Sequence, residues 1–566
     1  MSISTRSTTG SQSQPARDPA SPQESAPAAR TKWRIFLPLP TGKPLGVLLL
    51  AILTLLAAVA LLELPVLHHT KGNILFPLDN AYVNITVGRD LAFYQVWGVS
   101  KYAFQSAASS LLYPIALAPI FFILGAHLII PLVVNLLAAA YFLLVFQRAL
   151  IRYGFPPARQ FLVLIAAMGL TLLPLLVVSG MEYTLQLLFV FLFMDVLVQT
   201  LSTPNTPAAA PTRPATAAGS AQTPTAKAPG SAQTPAAAPA TLYIFAVLAV
   251  AARYEDLLVI ALGVVLFGLQ KGWRPAAKLA AIAVAPIILF GVISVIKKSY
   301  FLPNTMLVGP YPTYAAILAL IATAAAAWLI IRYSTIAPKR QPIPPGHPAA
   351  KPQPTQASQA SQPQPAQASR VMPPPTIPAL AILVLLAVPF TARNAANLAH
   401  FEKDCDRIYD EQYLTANFVH LYYFKQTVGT NQPGAISYFS EGRKLDYTGI
   451  ASNDVVRMTK EYGWTPLYAD SLSKKDGIRV AIVADPWFRA DQLPKWTKVA
   501  TWDIAEGAPS ATNQSAPNQP AAAIPPTAGE RAVNFYAVEA YDTTWLRKRL
   551  HEYQHLLPST VAVKYY

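Results

Sequence analysis

Cysteine is almost missing from this chain of 566 residues: Cys405 stands alone. A single thiol excludes an intramolecular disulfide and any metal cluster built from cysteines. Charge is also scarce, at 13% of residues, and carboxylates are outnumbered, 28 against 44 Lys and Arg. The resulting formal charge of +16 does not point to nucleic acid, because the basic residues are not gathered on a soluble, aromatic-bearing segment. They flank apolar runs, where a positive-inside bias places them. Hydrophobic side chains make up 53% of the chain, in runs such as 45–62 and 129–146 that match a bilayer in length. The expected fold is therefore mainly α, a polytopic transmembrane helix bundle.

Three stretches, 202–240, 338–375 and 507–528, are low-complexity and rich in Pro, Ala, Thr, Ser or Gln. They hold too little apolar surface to offset chain entropy and are expected to be disordered linkers or loops. The first repeats Gly-Ser-Ala-Gln-Thr-Pro at 219–224 and 230–235. Residues 1–43 are expected to form a disordered head that carries the basic Arg30-Thr-Lys-Trp-Arg34 before the first span. Taking this head as cytoplasmic, the first span (44–64) is an anchor helix, not a cleaved signal, and 66–110 becomes a long outer loop. Segment 111–125 reads as interfacial or re-entrant, since a crossing there would put Arg148, Arg152 and Arg159 outside. Further spans are expected at 127–147, 160–178, 183–201, 241–252, 256–270, 279–296, 313–331 and 376–392, about nine in all. Residues 393–566 then form an extracytoplasmic α/β domain, with strands at Ile436–Phe439, Arg479–Ala484 and Ala532–Ala537 and a helix at Thr543–Leu557 after an Asp/Thr cap.

This topology brings Asp79, Glu182, Arg253, Glu255 and Asn304 to outer helix ends. Carboxylates, an arginine and an amide at one membrane interface suit an amphiphilic, phosphate-bearing substrate. Each residue has a plainer reading. Asp79 could cap a helix beginning near Asn80, and Glu182 could cap or salt-bridge a helix start. Arg253 and Glu255 could be a structural ion pair, and Asn304 after Pro303 a turn residue. His68-His69 lacks a third metal ligand. Tyr82, Phe93, Tyr94 and Trp97 could form an interfacial belt. Two glycosylation sequons occur, Asn84-Ile-Thr86 and Asn513-Gln-Ser515.

The order of these motifs resembles the GT-C superfamily of polyprenyl-phosphate-sugar-dependent glycosyltransferases, and within it the mycobacterial arabinofuranosyltransferase-type branch. That branch's Asp-Asp-Ala-Tyr/Phe motif and its Ala-Arg-Asn-Leu-Ala-like run correspond to Asp79-Asn-Ala-Tyr82 and Gly88-Arg-Asp-Leu-Ala92. Similar elements follow at Ser109-Ser-Leu-Leu-Tyr-Pro114, Ser179-Gly-Met-Glu182, Arg253-Tyr-Glu255 and Leu302-Pro-Asn-Thr305. Outer segments like Gly434-Ala-Ile-Ser-Tyr-Phe-Ser440 and Leu445-Asp-Tyr-Thr-Gly449 complete the set. The chain departs from the pattern at Asn80, where the branch carries a second carboxylate, and this puts metal binding or activity itself in question.

The resemblance implies an inverting transferase in a bacterial inner membrane, with its site on the extracytoplasmic face. Its partners would be a polyprenyl-phosphate-linked sugar, an envelope glycan or lipid acceptor and membrane lipid. Such chemistry needs a base for the acceptor hydroxyl, a carboxylate near the developing positive charge on the sugar and a cation for the leaving phosphate. Asp79 is the expected base and a candidate ligand should a divalent metal take part. Arg89 or Arg253 is the expected phosphate grip, with Lys297 and Lys298 more distant. Asn80, Tyr82, Glu182, Glu255 and Asn304 are expected to bind or orient substrate. The competing readings are a transporter or flippase for a lipid-linked saccharide and an inactive relative that scaffolds glycan assembly. The absence of repeated halves and the gathering of polar residues on one face favour the enzyme.

Overall fold

Apolar length is what builds the first half of this molecule. Four helices are long and apolar enough to cross a membrane: α1 (Lys43–His69), α4 (Ile129–Arg152), α7 (Tyr183–Ser202) and α10 (Trp273–Ile296). The count covers residues 39–202, 238–308, 395–484, 494–504 and 531–566, which the computed structural model of the chain describes. The expected spans at 313–331 and 376–392, most of 202–240 and the stretches 338–375 and 507–528 lie outside those residues. The outward faces of the long helices are bare, with Leu61 74% and Leu64 62% exposed on α1, as a helix surrounded by lipid requires.

Between the long helices run shorter ones. Helix α2 (Asp79–Tyr94) precedes α3 (Leu112–Leu124), which at 13 residues is short of the roughly 20 a straight crossing takes. The single span expected at 160–178 is instead two helices, α5 (Pro157–Leu170) and α6 (Leu173–Val178). Leu172 between them has φ +48°, and Pro174 offers no N–H to continue the ladder. Helices α8 (Ala240–Ala252) and α9 (Leu257–Lys271) are joined by a 3-10 turn, Tyr254–Asp256. After α10 comes the short α11 (Asn304–Val308).

The C-terminal region carries a six-stranded mixed sheet of order β2-β1-β3-β5-β4-β6. Its strands are β1 (Val428–Thr430), β2 (Lys444–Asp446), β3 (Val480–Ala484), β4 (Thr497–Ile504), β5 (Arg531–Ala537) and β6 (Val561–Tyr565). Strands β1–β2 and β1–β3 pair parallel and the rest antiparallel. The expected strands at 479–484 and 532–537 are β3 and β5. The third expected strand, Ile436–Phe439, is not one: Pro433–Phe439 is an α-helix. The C-terminal helix stops at Tyr553, with a 3-10 turn over Gln554–Leu556. Asp542 makes no cap hydrogen bond to it and pairs instead with Arg479.

Strand alternation divides the core of this region. Val533 and Phe535 join Trp502, Phe418 and Tyr553 on one face, where the Trp502 and Tyr553 rings stack at 5.7 Å. Tyr536 turns to the other face, against Val455, Leu472 and Trp496. The first face does not end at the sheet. It continues into Leu75, Phe76, Tyr82, Tyr113 and Phe121 of the helical part, so one apolar core ties α2 and α3 to the sheet-bearing region and sets the site's position.

Candidate functional site

Helix α2 opens after Pro77 and Leu78, whose extended backbone (φ −121°) marks the N-cap. It ends at Gln95 in the left-handed conformation. Nearly every residue from Ala81 to Asp90 is buried, so the middle of this helix is wrapped by protein on all sides. It carries four of the expected site residues, Asp79, Asn80, Tyr82 and Arg89.

Asp79 is the first residue of α2 and does not cap that helix. Its carboxylate reaches 355 positions along the chain to the helix Pro433–Phe439, accepting from the Gly434 N–H at 3.2 Å and the Ala435 N–H at 3.1 Å. A Cβ on Gly434 would run into the carbonyl and carboxylate of Asp79, so only glycine permits the approach. The far end of the same helix meets Arg89, whose Nη1 donates to the Tyr438 carbonyl at 2.6 Å and the Ser437 carbonyl at 3.3 Å. An anion at the N-terminus and a cation at the C-terminus complement the helix dipole from outside. Burial pushes the half-buried Asp79 carboxyl up to about 6, against the pull of its two N–H donors, and the nearby Asp446 charge adds to the rise.

Tyr82 is fully buried. Its hydroxyl accepts the Phe76 N–H at 2.8 Å, and its ring packs near those of Tyr438 and Phe439 at 6.1 and 6.0 Å. It is therefore a core residue, unlike Phe93 and Tyr94, which are exposed. Asn80 is exposed beside Asp79.

Glu182, Arg253 and Glu255 form a second network. Gly180, at φ +70° and against the Phe76 ring, makes the turn that sends Glu182 inward. The Glu182 carboxylate accepts from Asn84 Nδ2 at 2.8 Å, Ser109 Oγ at 3.0 Å and Arg253 Nη1 at 2.8 Å. Arg253 also donates to Glu255 at 2.6 Å and lies over the Tyr183 ring. Glu182 is 0% exposed, so charge and hydrogen bonds compensate each other inside protein.

Asn304 is in a third place. Its Nδ2 donates to Asn453 Oδ1 at 2.9 Å and to the Ile450 carbonyl at 3.2 Å, and its N–H to the Ser106 carbonyl at 2.8 Å. It is a joint between the 106 loop, α11 and the sheet-bearing region.

Sequence reasoning missed Asn84, Asn453 and Lys444, and it gave no role to Ser109 and Asp446 although both lie in quoted motifs. Asn84 was legible only as a sequon, yet it is 0% exposed and bonded inside the Glu182 network. Asp446 accepts the Ala451 and Thr448 N–H groups at 2.7 and 2.9 Å, and burial lifts it to about 6. Lys444, 2% exposed, donates to the Ser440 and Gly442 carbonyls, and burial lowers it to about 7. Among the described residues no three His, Cys, Asp or Glu side chains come together as ligands for a metal ion. His69 faces Asp406 at 3.6 Å.

A sequence family described as a domain of unknown function (DUF8728) matches residues 404–536, from the end of the 395–407 helix through most of β5. No curated protein and no solved structure matches the chain.

Proposed function

We propose that this chain is a membrane-embedded glycosyltransferase of the GT-C kind that moves a sugar from a polyprenyl-phosphate donor to an envelope glycan or lipid acceptor. It crosses a bacterial cell membrane about nine times, with its site on the extracytoplasmic side. The observation that supports this reading best is the state of Asp79, a half-buried carboxyl at the seam of the two regions with its pKa raised to about 6. A base tuned toward neutral pH is the one best matched to taking a proton from a hydroxyl.

Two backbone N–H groups occupy two of the roughly four acceptor directions of a carboxylate, leaving the others for an acceptor hydroxyl. As that oxygen attacks the anomeric carbon, its proton passes to Asp79. The bond to the donor phosphate breaks with its electron pair staying on the phosphate. Arg89 lies about 15 Å further along α2 and is ion-paired with Asp90, so its part is to hold the far end of the Pro433–Phe439 helix. Arg253 is held between Glu182 and Glu255 and serves by fixing Glu182 in place. Asn80, exposed next to Asp79, suits contact with sugar hydroxyls.

An inactive scaffold is the second reading, favoured by Asn80 standing where the resembling branch carries a carboxylate. One assay separates the two: release of polyprenyl phosphate from a panel of lipid-linked sugars with an envelope extract, for wild type and Asp79→Asn. Acceptor-dependent release, lower by at least about a hundredfold in the variant, is the expected outcome. Binding without release across the panel overturns the transferase reading, and equal turnover by the variant removes Asp79 as the base.

A further inference from the structure

The C-terminal end of α10 gathers positive charge that the protein does not neutralise. Lys297 and Lys298 close the helix, and the helix Asn453–Tyr462 is laid against them. Arg457 Nη2 donates to the Lys298 carbonyl at 3.1 Å, and Ser299 and Asn304 both meet Asn453. Lys460 lies one turn beyond Arg457 on the same side of that helix. All four cations are exposed, and among the described residues no carboxylate pairs with any of them. Of the nearby acids, Asp454 is taken by Lys475 at 3.7 Å, and Glu461 alone is left to offset them on that helix.

Two further observations make this more than a solvated patch. Lys298 has φ +61°, the left-handed position after a helix end where glycine is the usual occupant. A lysine there is strained relative to glycine. The neighbouring side chains are apolar and bare, Ile296 being 71% and Phe301 43% exposed. Cations above a rim of exposed apolar groups match the layering of phosphate over hydrocarbon in a leaflet. In the proposed orientation these lysines also lie outside, against the charge bias of membrane proteins.

We propose that Lys297, Lys298, Arg457 and Lys460 form a binding surface for the phosphate headgroups of anionic phospholipids around the end of α10. The bound lipid seats the sheet-bearing region against the membrane. This rests on α10 crossing a membrane and not on the transfer chemistry, so failure of the release assay leaves it standing.

The test places the full chain in nanodiscs of phosphatidylcholine with or without phosphatidylglycerol. Retained lipid is counted by native mass spectrometry, and hydrogen exchange is followed over 297–308 and 453–462. Wild type is expected to keep phosphatidylglycerol over phosphatidylcholine and to exchange more slowly in both segments when it is present. Lys297→Gln and Lys460→Gln should each lower that preference about fivefold, and the fourfold Gln variant should abolish it. Lys548→Gln, exposed on the C-terminal helix, should change nothing. Equal retention of the two lipids, an equal drop with Lys548→Gln, or single variants that keep the full preference would each overturn the proposal. Should the fourfold variant fail to fold, the single variants decide.

Discussion

The two charged networks of this molecule use similar residues to opposite ends. Around Glu182, an acid and an arginine are sealed inside protein, with Asn84, Ser109 and Glu255 completing the hydrogen bonds. At the seam, Asp79 faces the N-terminal N–H groups of the helix Pro433–Phe439, while Arg89 divides its donors between the buried Asp90 and the carbonyls at that helix's far end. A sealed pair has no spare valence, and breaking it strands a buried charge. A carboxylate that faces a helix dipole is stabilised by backbone groups alone, so it can change protonation without leaving an ion unpaired. The first arrangement holds the helices together; the second joins two regions and keeps a titratable group between them.

The largest expected effect lies in the sealed network. Arg253→Met leaves Glu182 buried and unpaired and should cost about 3–5 kcal/mol, read as loss of folded protein from the membrane fraction. Adding Glu182→Gln should recover part of it. A melting point unchanged by Arg253→Met would break the comparison.

Next comes Asp79. Its asparagine variant should lose at least about a hundredfold in transfer, while thermal stability moves by about 1 kcal/mol, since the amide oxygen still accepts one N–H. The pH profile sharpens the point. The base works only when ionised, so wild-type transfer should rise through about pH 6 and fall away below it. For stability the sign is reversed. The folded pKa of about 6 lies above the unfolded value of 3.8, so the Asp79 contribution is full below the lower value and lost as pH rises through the higher one. Melting curves of Asp79→Asn should show a flatter slope over that window. An unchanged slope would mean that Asp79 does not titrate there.

Gly434→Ala drives a Cβ into Asp79 and should cost about 1–3 kcal/mol. Faster hydrogen exchange should be confined to 433–439 and the start of α2. Exchange spreading to 179–184 would show that the two networks are not separate. The smallest effect is expected from Arg89→Lys, about 1 kcal/mol, since lysine keeps a positive charge beside the buried Asp90 and loses only part of the contact with the Ser437 and Tyr438 carbonyls. A loss as large as that of Arg253→Met would show that the planar fork of Arg89, and not its charge alone, holds the seam.

Much of the helical half was legible because hydropathy over about 20 residues is a local property: the runs behind α1, α4, α7 and α10 need no partner to be recognised. The break between α5 and α6 was not, since apolar residues continue through Thr171 and Leu172 without a signal strong enough to stop a span. Ile436–Phe439 misled for a different reason. Its β-branched and aromatic residues suit a strand, but Asp79 and Arg89 from a distant helix complement both ends of a helix there. Asp79 and Glu182 could be singled out as costly acids in apolar surroundings. That one faces a helix end while the other is locked to Arg253 depended on groups 355 and 71 residues away.

By itself the sequence determined where apolar helices form, that strands form at 479–484 and 532–537, and which few polar residues stand out among them, because propensity and hydropathy act over one or two turns of chain. Which of those residues are sealed and which remain open to chemistry was decided only by tertiary structure. A carboxylate's protonation and hydrogen bonding depend on what packs within a few ångströms of it, and for Asp79 that neighbour is a helix more than 350 residues away.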